Sequence, residues 1–204
     1  MPTLLLIRHG DNDYLVKNLL PGHIPGIHLN ERGREQAAEL AKTLGQLPVN
    51  AIYSSPLERA IETAEPLAKS LGLGIQIRPG LIDTDPGQWA GRSRKILSRT
   101  KLWKLIQNTP SQVQFPGGET FIHCQERVVD TLNAITKMYK DELIAVFCHG
   151  DPIKLAVAHY LEMPLDAFQR LTVNTGSVTM VKINGPSVNL VAFNLIPPFP
   201  IPNL

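Results

Sequence analysis

The stretch Leu4-Leu-Leu-Ile-Arg8-His9-Gly10 places four aliphatic side chains directly before a cation, an imidazole and a glycine. A short apolar run without polar alternation is typical of a strand that is buried on both faces. A similar order recurs at Leu143-Ile-Ala-Val-Phe-Cys148, which is followed by His149 and Gly150. We therefore predict two buried strands, over residues 4–8 and 143–148, that each lead into a histidine.

Outward from these two runs, short apolar segments alternate with segments of helical periodicity. Residues 51–54 and 74–78 are further strand candidates, and residues 177–183 and 188–194 predict a hairpin that turns through 184–187. Four segments have apolar residues at helical spacing and predict helices over 31–46, 55–70, 119–140 and 151–162. Strands that alternate with helices indicate an α/β fold, a three-layer sandwich with a mostly parallel central sheet and helices on both faces.

Three local signals refine the helix boundaries. Ser55-Pro56-Leu57-Glu58 matches a capping box with proline at the first helical position, so it predicts the start of a helix. Pro66 predicts a kink or break within that helix. Asp151-Pro152 predicts the cap of the helix that follows the buried strand 143–148. The proline-rich tail from Pro197 to Leu204 is expected to lie extended over the surface.

Length and composition narrow the class of protein. The 204 residues fit one domain, 1–204, and the 43% hydrophobic content is that of a globular chain. The net charge of +2 argues against nucleic acid as the main partner, and no apolar stretch approaches the ~20 residues of a membrane span. No signal peptide is recognised, and Cys124 and Cys148 are expected to be free thiols. Together these features predict a cytoplasmic protein.

The unusual residues follow three of the predicted strands. Arg8 and His9 end the first, residues 54–55 lead into a helix that carries Arg59, and His149 follows the strand 143–148. In open α/β sheets, ligands bind outside the carboxyl ends of the strands, so these side chains should meet at one edge. Arginine forks suit phosphate oxygens, helix N-termini add donors, and a neutral imidazole is nucleophilic. The combination indicates phosphoryl transfer through a phosphohistidine.

Taken singly, a histidine at a strand end is more often a structural polar group than a catalyst. The order of the motifs carries more information, and the chain resembles the histidine phosphatase superfamily, also called the phosphoglycerate mutase-like family. The resemblance runs from Leu4 to about Lys182. Besides residues 4–10, the blocks that carry it are 26–37, 53–64, 81–91, 116–120 and 147–150.

The resemblance implies a role for each matching position. His9 is expected to be the phosphorylated nucleophile, while Arg8, Arg59 and His149 hold the transferred phosphoryl group. Asp83 stands where the family usually has a glutamate general acid. The resemblance also implies a metal-independent enzyme, and the chain has neither a Walker loop nor a dinucleotide fingerprint. We therefore expect no cofactor and no metal.

Two features depart from the family pattern. Asp83 is one methylene shorter than glutamate, and Asp85 is an alternative general acid. The loop after Gly10 has Asn12 where the family commonly has threonine, with Asn18 as a substitute for a later asparagine. Asn12, Asn18 and Gly150 are candidate substrate-binding residues.

Residues 86–118 contain six basic side chains and no acidic one. The favoured interpretation is a solvated helix with an apolar underside; the alternative is a basic lid that steers anionic substrates over the site. His23 and His28, in the Gly- and Pro-rich loop 21–28, are interpreted as exposed loop residues, with the mouth of the pocket as the alternative. His123 and His159 are expected on helix surfaces.

The sequence thus predicts a phosphomonoester hydrolase that acts on a small phosphorylated metabolite. A phosphoglycerate mutase-type transfer is the first alternative, although only about 40 residues separate Gly80 from Thr120, where such mutases generally have a longer insertion. A phosphoester-binding protein with degraded catalysis is the second alternative. The physiological substrate and the oligomeric state are left open.

Overall fold

A computed structural model describes residues 1–185 and 187–200, with one sheet of six strands. Most strands are rich in aliphatic side chains, as expected of a buried sheet. The strands are β1 (Thr3–Arg8), β2 (Val49–Ser54), β3 (Ile75–Ile77), β4 (Leu143–Cys148), β5 (Val178–Asn184) and β6 (Ser187–Leu195).

Helices of four to sixteen residues connect the strands. They are α1 (Asp13–Val16), α2 (Glu31–Leu44), α3 (Glu58–Leu71), α4 (Arg94–Leu97), α5 (Lys101–Asn108), α6 (Phe121–Thr136) and α7 (Gly150–Tyr160). Every predicted helix is present, but α6 ends several residues before the predicted position 140, because residues 137–142 turn into β4.

The strand order is β3-β2-β4-β1-β5-β6. The first four strands in this order run parallel, and β5 and β6 add an antiparallel hairpin. This arrangement confirms the predicted mostly parallel sheet. Arg8 is paired with Cys148, so the residues that follow β1 and β4 leave the sheet side by side.

Alternate side chains of β1 enter different apolar clusters. Leu4 and Leu6 pack in the cluster that includes α6 and α7 residues, whereas Leu5 and Ile7 pack in the cluster that includes α2 and α3 residues. All four side chains are at most 1% exposed, and burial of each contributes roughly 1.5–3 kcal/mol. Because successive strand residues point to opposite faces, helices cover both faces of the sheet, as predicted.

The predicted capping box at Ser55 is wrong. α3 begins at Glu58, with Leu57 as an N-cap that makes no side-chain hydrogen bond. The Ser55 hydroxyl instead shares a hydrogen bond of 2.8 Å with His149 Nε2. α3 also continues through Pro66 without a break, since burial of residues on both sides of the proline, such as Ala64 and Leu67, holds the helix on the sheet.

The cap predicted at Asp151 is also displaced. α7 begins at Gly150 with His149 as its N-cap, and the Asp151 carboxylate is paired with Lys154 at 2.7 Å. The hairpin β5–β6 is formed as predicted, although Pro186 of the predicted turn lies outside the described residues.

In the tail, residues 196–200 form neither helix nor strand, and the Phe199 side chain packs on the cluster beneath β5 and β6. The remaining residues, 201–204, lie outside the described part. Both cysteines are buried and free. In the part of the chain that the structure describes, every helix is too short or too polar to cross a membrane.

Candidate active site

A cavity of about 250 Å³ opens at the carboxyl ends of the parallel strands. His9 and Asp83 line it together with Arg8, so side chains from two of the predicted motif blocks, 4–10 and 81–91, meet at one edge of the sheet. The other lining residues are Leu15, Leu20, Pro21, Gly22, Thr84, Pro86, Arg94, Phe115, Gly150, Asp151, Lys154, Leu171, Thr172 and Val173.

His9 is held in one tautomer. Its ring is only 2% exposed, and Nδ1 lies 2.7 Å from the carbonyl oxygen of Gly10. Because a carbonyl only accepts, Nδ1 must carry the hydrogen, and Nε2 keeps its lone pair. Burial lowers the pKa of His9 well below its usual value, and the charges of Arg59 and Arg8 lower it further. The ring is therefore neutral at pH 7, and the lone pair on Nε2 is not blocked by a proton.

His149 lies beside His9, with the two ring centroids 5.1 Å apart. Its Nε2 shares the hydrogen bond with the Ser55 hydroxyl, and its Nδ1 lies 3.7 Å from Asp83 Oδ2. Burial, followed by the charge of Arg59, lowers the pKa of His149 well below its usual value. A second neutral imidazole therefore lies next to the first.

Two arginines supply unpaired donors. Arg8 Nη1 donates to the carbonyl of Val173 at 2.6 Å, and Arg59 Nη2 donates to the carbonyl of Gly22 at 2.9 Å. Arg8 Nε, Arg59 Nε and Arg59 Nη1 are buried and have no hydrogen-bond partner among the described residues. Buried donors without partners are costly, and an anion bound among them would remove that cost.

The Asp83 carboxyl lines the cavity and contacts Arg59. Oδ2 accepts from Arg59 Nη2 at 3.2 Å, and Oδ1 accepts from the backbone of Thr84 at 3.0 Å. Burial raises the pKa of Asp83 and outweighs the opposing charge of Arg59. The carboxyl consequently holds a proton more readily than a solvated aspartate, as a general acid must.

His23 has a place in this site that sequence reasoning missed. The ring is half-buried, and Nε2 lies 2.6 Å from the backbone carbonyl of Asp83, to which it donates. The favoured interpretation of His23 as an exposed loop residue is wrong. The only sequence signal was its position in the loop 21–28; His28 of the same loop is exposed and bonded to Glu62.

The remaining candidates lie in different surroundings. Asn12 is fully buried and caps α1 through Leu15, while its Nδ2 has no partner within residues 1–185 and 187–200. Asn18 is exposed and does not line the cavity.

Gly150 lines the cavity, and an added Cβ would come within 3.3 Å of Arg8 Nε. The Asp85 carboxylate lies outside the cavity and accepts from the backbone of Gly87 at 2.9 Å.

Residues 86–118 follow the favoured interpretation for the most part. Leu97 and Ile106 are buried, whereas five of the six basic side chains of the segment are exposed. Arg94 is the exception, because it is half-buried and lines the cavity. The segment 86–118 contains no acidic residue that could pair with it. Asp151 and Lys154 of α7 also line this wall, and nothing in their sequence pattern indicated it.

Among the described residues, no group of three or more His, Cys, Asp and Glu side chains is arranged to hold a metal ion. The donors at this site are guanidinium and imidazole N–H groups, which suit an anion.

Several known proteins are similar to this chain in sequence or in fold. The chain is 27% identical over 184 residues to a 2,3-bisphosphoglycerate-dependent phosphoglycerate mutase from Thermoplasma acidophilum, covering 90% of this chain and 88% of the relative. It is also 27% identical over 183 residues to phosphoserine phosphatase 1 from Hydrogenobacter thermophilus, covering 89% and 86%. Both relatives match this chain over most of their length.

The fold is similar to that of a mycobacterial glucosyl-3-phosphoglycerate phosphatase solved in complex with VO3. The TM-score is 0.87 at 25% identity, with 94% of this chain and 98% of that chain covered. A family model matches residues 4–196. The chain therefore belongs to the histidine phosphatase superfamily (branch 1).

Proposed function

We propose that this chain hydrolyses a small phosphorylated metabolite through a phosphohistidine on His9. The observation that carries the proposal is the environment of the His9 ring. Its Nδ1 is occupied by the Gly10 carbonyl, and three arginine nitrogens buried around the site have no hydrogen-bond partner among the described residues. A neutral imidazole beside N–H groups that can bind an anion is suited to attack a phosphoryl group.

In the first step, His9 Nε2 attacks phosphorus while the bond to the ester oxygen breaks. Arg8, Arg59 and His149 donate to the oxygens of the transferred group, whose charge they stabilise. With the Ser55 hydroxyl donating to Nε2 of His149, its Nδ1 carries a hydrogen for this purpose. The Asp83 carboxyl gives its proton to the departing oxygen, so the leaving group departs as an alcohol.

In the second step, water replaces the alcohol. The Asp83 carboxylate takes a proton from that water, whose oxygen attacks phosphorus as the bond to His9 Nε2 breaks. Inorganic phosphate leaves, and both the imidazole and the protonated Asp83 are restored. The Asp83 side chain is 17% exposed, which favours access of water over its exclusion.

Hydrolysis is favoured over mutase-type transfer for a second reason. Between Asp83 and the motif at 116–120, every helical segment is short, the longest being the eight residues of α5, so the chain lacks the longer insertion that mutases of this family generally have here. One relative is a mutase, whereas the phosphoserine and glucosyl-3-phosphoglycerate enzymes are phosphatases. The binding-only alternative is disfavoured because the candidate nucleophile, the candidate acid and the candidate phosphate donors lie close to one another.

The proposal takes residues 1–204 as one catalytic domain that acts in the cytoplasm without metal or cofactor. The buried free thiols of Cys124 and Cys148 support a reducing compartment.

The experiment is to trap the phosphoenzyme. The protein is mixed with ³²P-labelled phenyl phosphate in EDTA and quenched in alkali, where phosphohistidine survives. We expect acid-labile label and release of inorganic phosphate with the wild type, neither with His9→Gln, and both with the matched control His28→Gln. Turnover without a His9-dependent phosphoenzyme, or no turnover of any monoester, would overturn the proposal.

A further inference from the structure

The cavity that contains His9 and Asp83 is lined by further charged side chains. They are Arg94, Asp151 and Lys154. Apolar side chains, including Leu20 and Phe115, line the same cavity. A substrate whose phosphoryl group lies at His9 would place its alcohol part in the rest of this cavity.

Two of these three charges neutralise each other. Lys154 Nζ lies 2.7 Å from Asp151 Oδ1, and the Lys154 side chain is only 13% exposed. Burial acts to raise the pKa of Asp151, but the charges of Lys154, Arg94 and Arg8 outweigh it and lower that pKa. The pair therefore stays ionised, and among the described residues Arg94 itself forms no salt bridge.

Arg94 is held where its side chain can reach a ligand. Its backbone N–H donates to the carbonyl of Asn18 at 2.9 Å, which fixes the start of α4 beside the cavity. Its Nε is buried and has no hydrogen-bond partner in the described part of the chain.

Arg94 also borders a second cavity of about 180 Å³. The two cavities share Leu20, Phe115, Asp151 and Lys154 with Arg94, so they adjoin. Arg94 is therefore part of the wall that the two cavities share.

We infer that Arg94 binds a second anionic group on the alcohol part of the substrate, which is thus a phosphomonoester that also carries a carboxylate or a further phosphate. The inference rests on the proposed function. In the proposed function, Arg8 and Arg59 bind the phosphoryl group at His9. Lys154 is paired with Asp151. Among the described residues that line the cavity, Arg94 is therefore the remaining cation. A planar guanidinium binds carboxylate and phosphate through paired hydrogen bonds.

The test compares substrates that differ only in charge. ω-Phosphooxy carboxylates with two to five methylenes are compared with the corresponding amides, which have the same shape and nearly the same leaving alcohol. A parallel series of alkanediol bisphosphates separates a preference for phosphate from one for carboxylate. With the wild type, we expect kcat/KM for the preferred anionic compound to exceed that for its amide about tenfold or more, the value of one charged hydrogen bond.

The variants are Arg94→Gln and Arg94→Lys, with Lys95→Gln as the matched control, since Lys95 follows in α4 and is exposed. Arg94→Gln should lower kcat/KM for the anionic compounds by about tenfold more than for the amides and so remove the preference for the anion. Arg94→Lys should retain part of the preference, and Lys95→Gln all of it. Calorimetric binding of the same compounds to His9→Gln should change in parallel.

Equal rates for anions and amides at every length with the wild type would overturn the inference, and this measurement does not depend on the folding of any variant. An equal loss for both series in Arg94→Gln would overturn it as well. If no compound is hydrolysed and no phosphohistidine forms, the proposed function itself fails, which is a different outcome from hydrolysis without charge preference.

Discussion

His23 Nε2 donates a hydrogen bond of 2.6 Å to the backbone carbonyl of Asp83, and the neighbouring carbonyl of Gly22 accepts from Arg59 at 2.9 Å. Two successive residues of one loop therefore hold both the candidate acid and a candidate phosphate ligand. Arg127 supports the same carbonyl of Asp83 from α6 at 3.3 Å. The carboxyl of Asp83 is thus fixed by contacts to its backbone as well as to its side chain.

The first prediction concerns His23 as a positioning residue. His23→Phe removes the donor to Asp83 and should lower kcat for an alkyl phosphate about tenfold, the cost of roughly one hydrogen bond. Phenyl phosphate, whose leaving group needs less protonation, should be affected less. Steady-state rates for both substrates measure this difference. His28→Phe is the control, and an equal loss for both substrates would indicate a general structural role instead.

The second prediction separates Asp83 from Asp85. Asp83→Asn should lower kcat/KM for alkyl phosphates by about 10²-fold or more and for activated aryl phosphates far less, because general acid catalysis contributes about 10²–10⁴-fold. Rates plotted against leaving-group pKa should become steeper. Asp85→Asn changes a carboxylate that accepts from Gly87, so it should leave that slope at its wild-type value. The reverse pattern would assign the acid to Asp85.

The third prediction is a pH dependence of the reaction. Burial raises the pKa of Asp83, and the carboxyl must be protonated in the first step. As the pH rises through this raised pKa, kcat/KM for an alkyl phosphate should fall. Asp83→Asn should abolish that descending limb in a pH–rate profile. A limb that persists unchanged in the variant would mean that another group supplies the proton.

The fourth prediction is a pH dependence of stability. Burial depresses the pKa of His9 in the folded state, so below its ordinary value of about 6.5 the unfolded chain binds a proton that the folded chain does not. The free energy of unfolding should therefore fall with decreasing pH, by roughly 1 kcal/mol per pH unit from His9. His9→Gln should reduce this slope in urea denaturation between pH 6.5 and 5. Parallel curves for the two proteins would contradict the depressed pKa.

The fifth prediction concerns the approach of α2 to the loop after β1. An added Cβ at Gly33 would lie well inside contact distance of the carbonyl oxygen of Asp11. Gly33→Ala should therefore destabilise the fold by about 1–3 kcal/mol and lower activity by displacing the segment after His9. Gly74→Ala, where the Cβ would meet nothing within 4 Å, is the control and should be neutral or slightly stabilising. Equal Tm values for the two variants would refute the close approach.

The alternation of buried strands and helices was predictable because it is a local signal. Runs such as 143–148 mark strands that are buried on both faces, and apolar residues at helical spacing mark the helices. The capping box at Ser55 failed for a non-local reason. The hydroxyl that could cap α3 instead bonds with His149, a residue 94 positions away in the sequence.

Much of the candidate site follows from the same reasoning. Arg8, His9, Arg59 and His149 could be assembled from sequence, since parallel strands deliver the residues at their carboxyl ends to one edge. The sequence could not decide which of Asp83 and Asp85 is the candidate general acid, because both lie in a loop without periodicity. Only the fold shows that the first contacts Arg59 and that the second accepts from Gly87.

The sequence alone determined the α/β architecture, the edge of the sheet at which the histidines and arginines meet, and the family resemblance. Hydrophobic periodicity and motif order depend on residues that are close in sequence, so they can be recognised without the folded structure. Tertiary structure alone decided that His23 supports Asp83. It also decided that Arg94 borders the cavity while the other basic side chains of residues 86–118 are exposed. These contacts join loops, which lack the periodic sequence pattern of helices and strands. Only the folded chain therefore shows which loop residues meet.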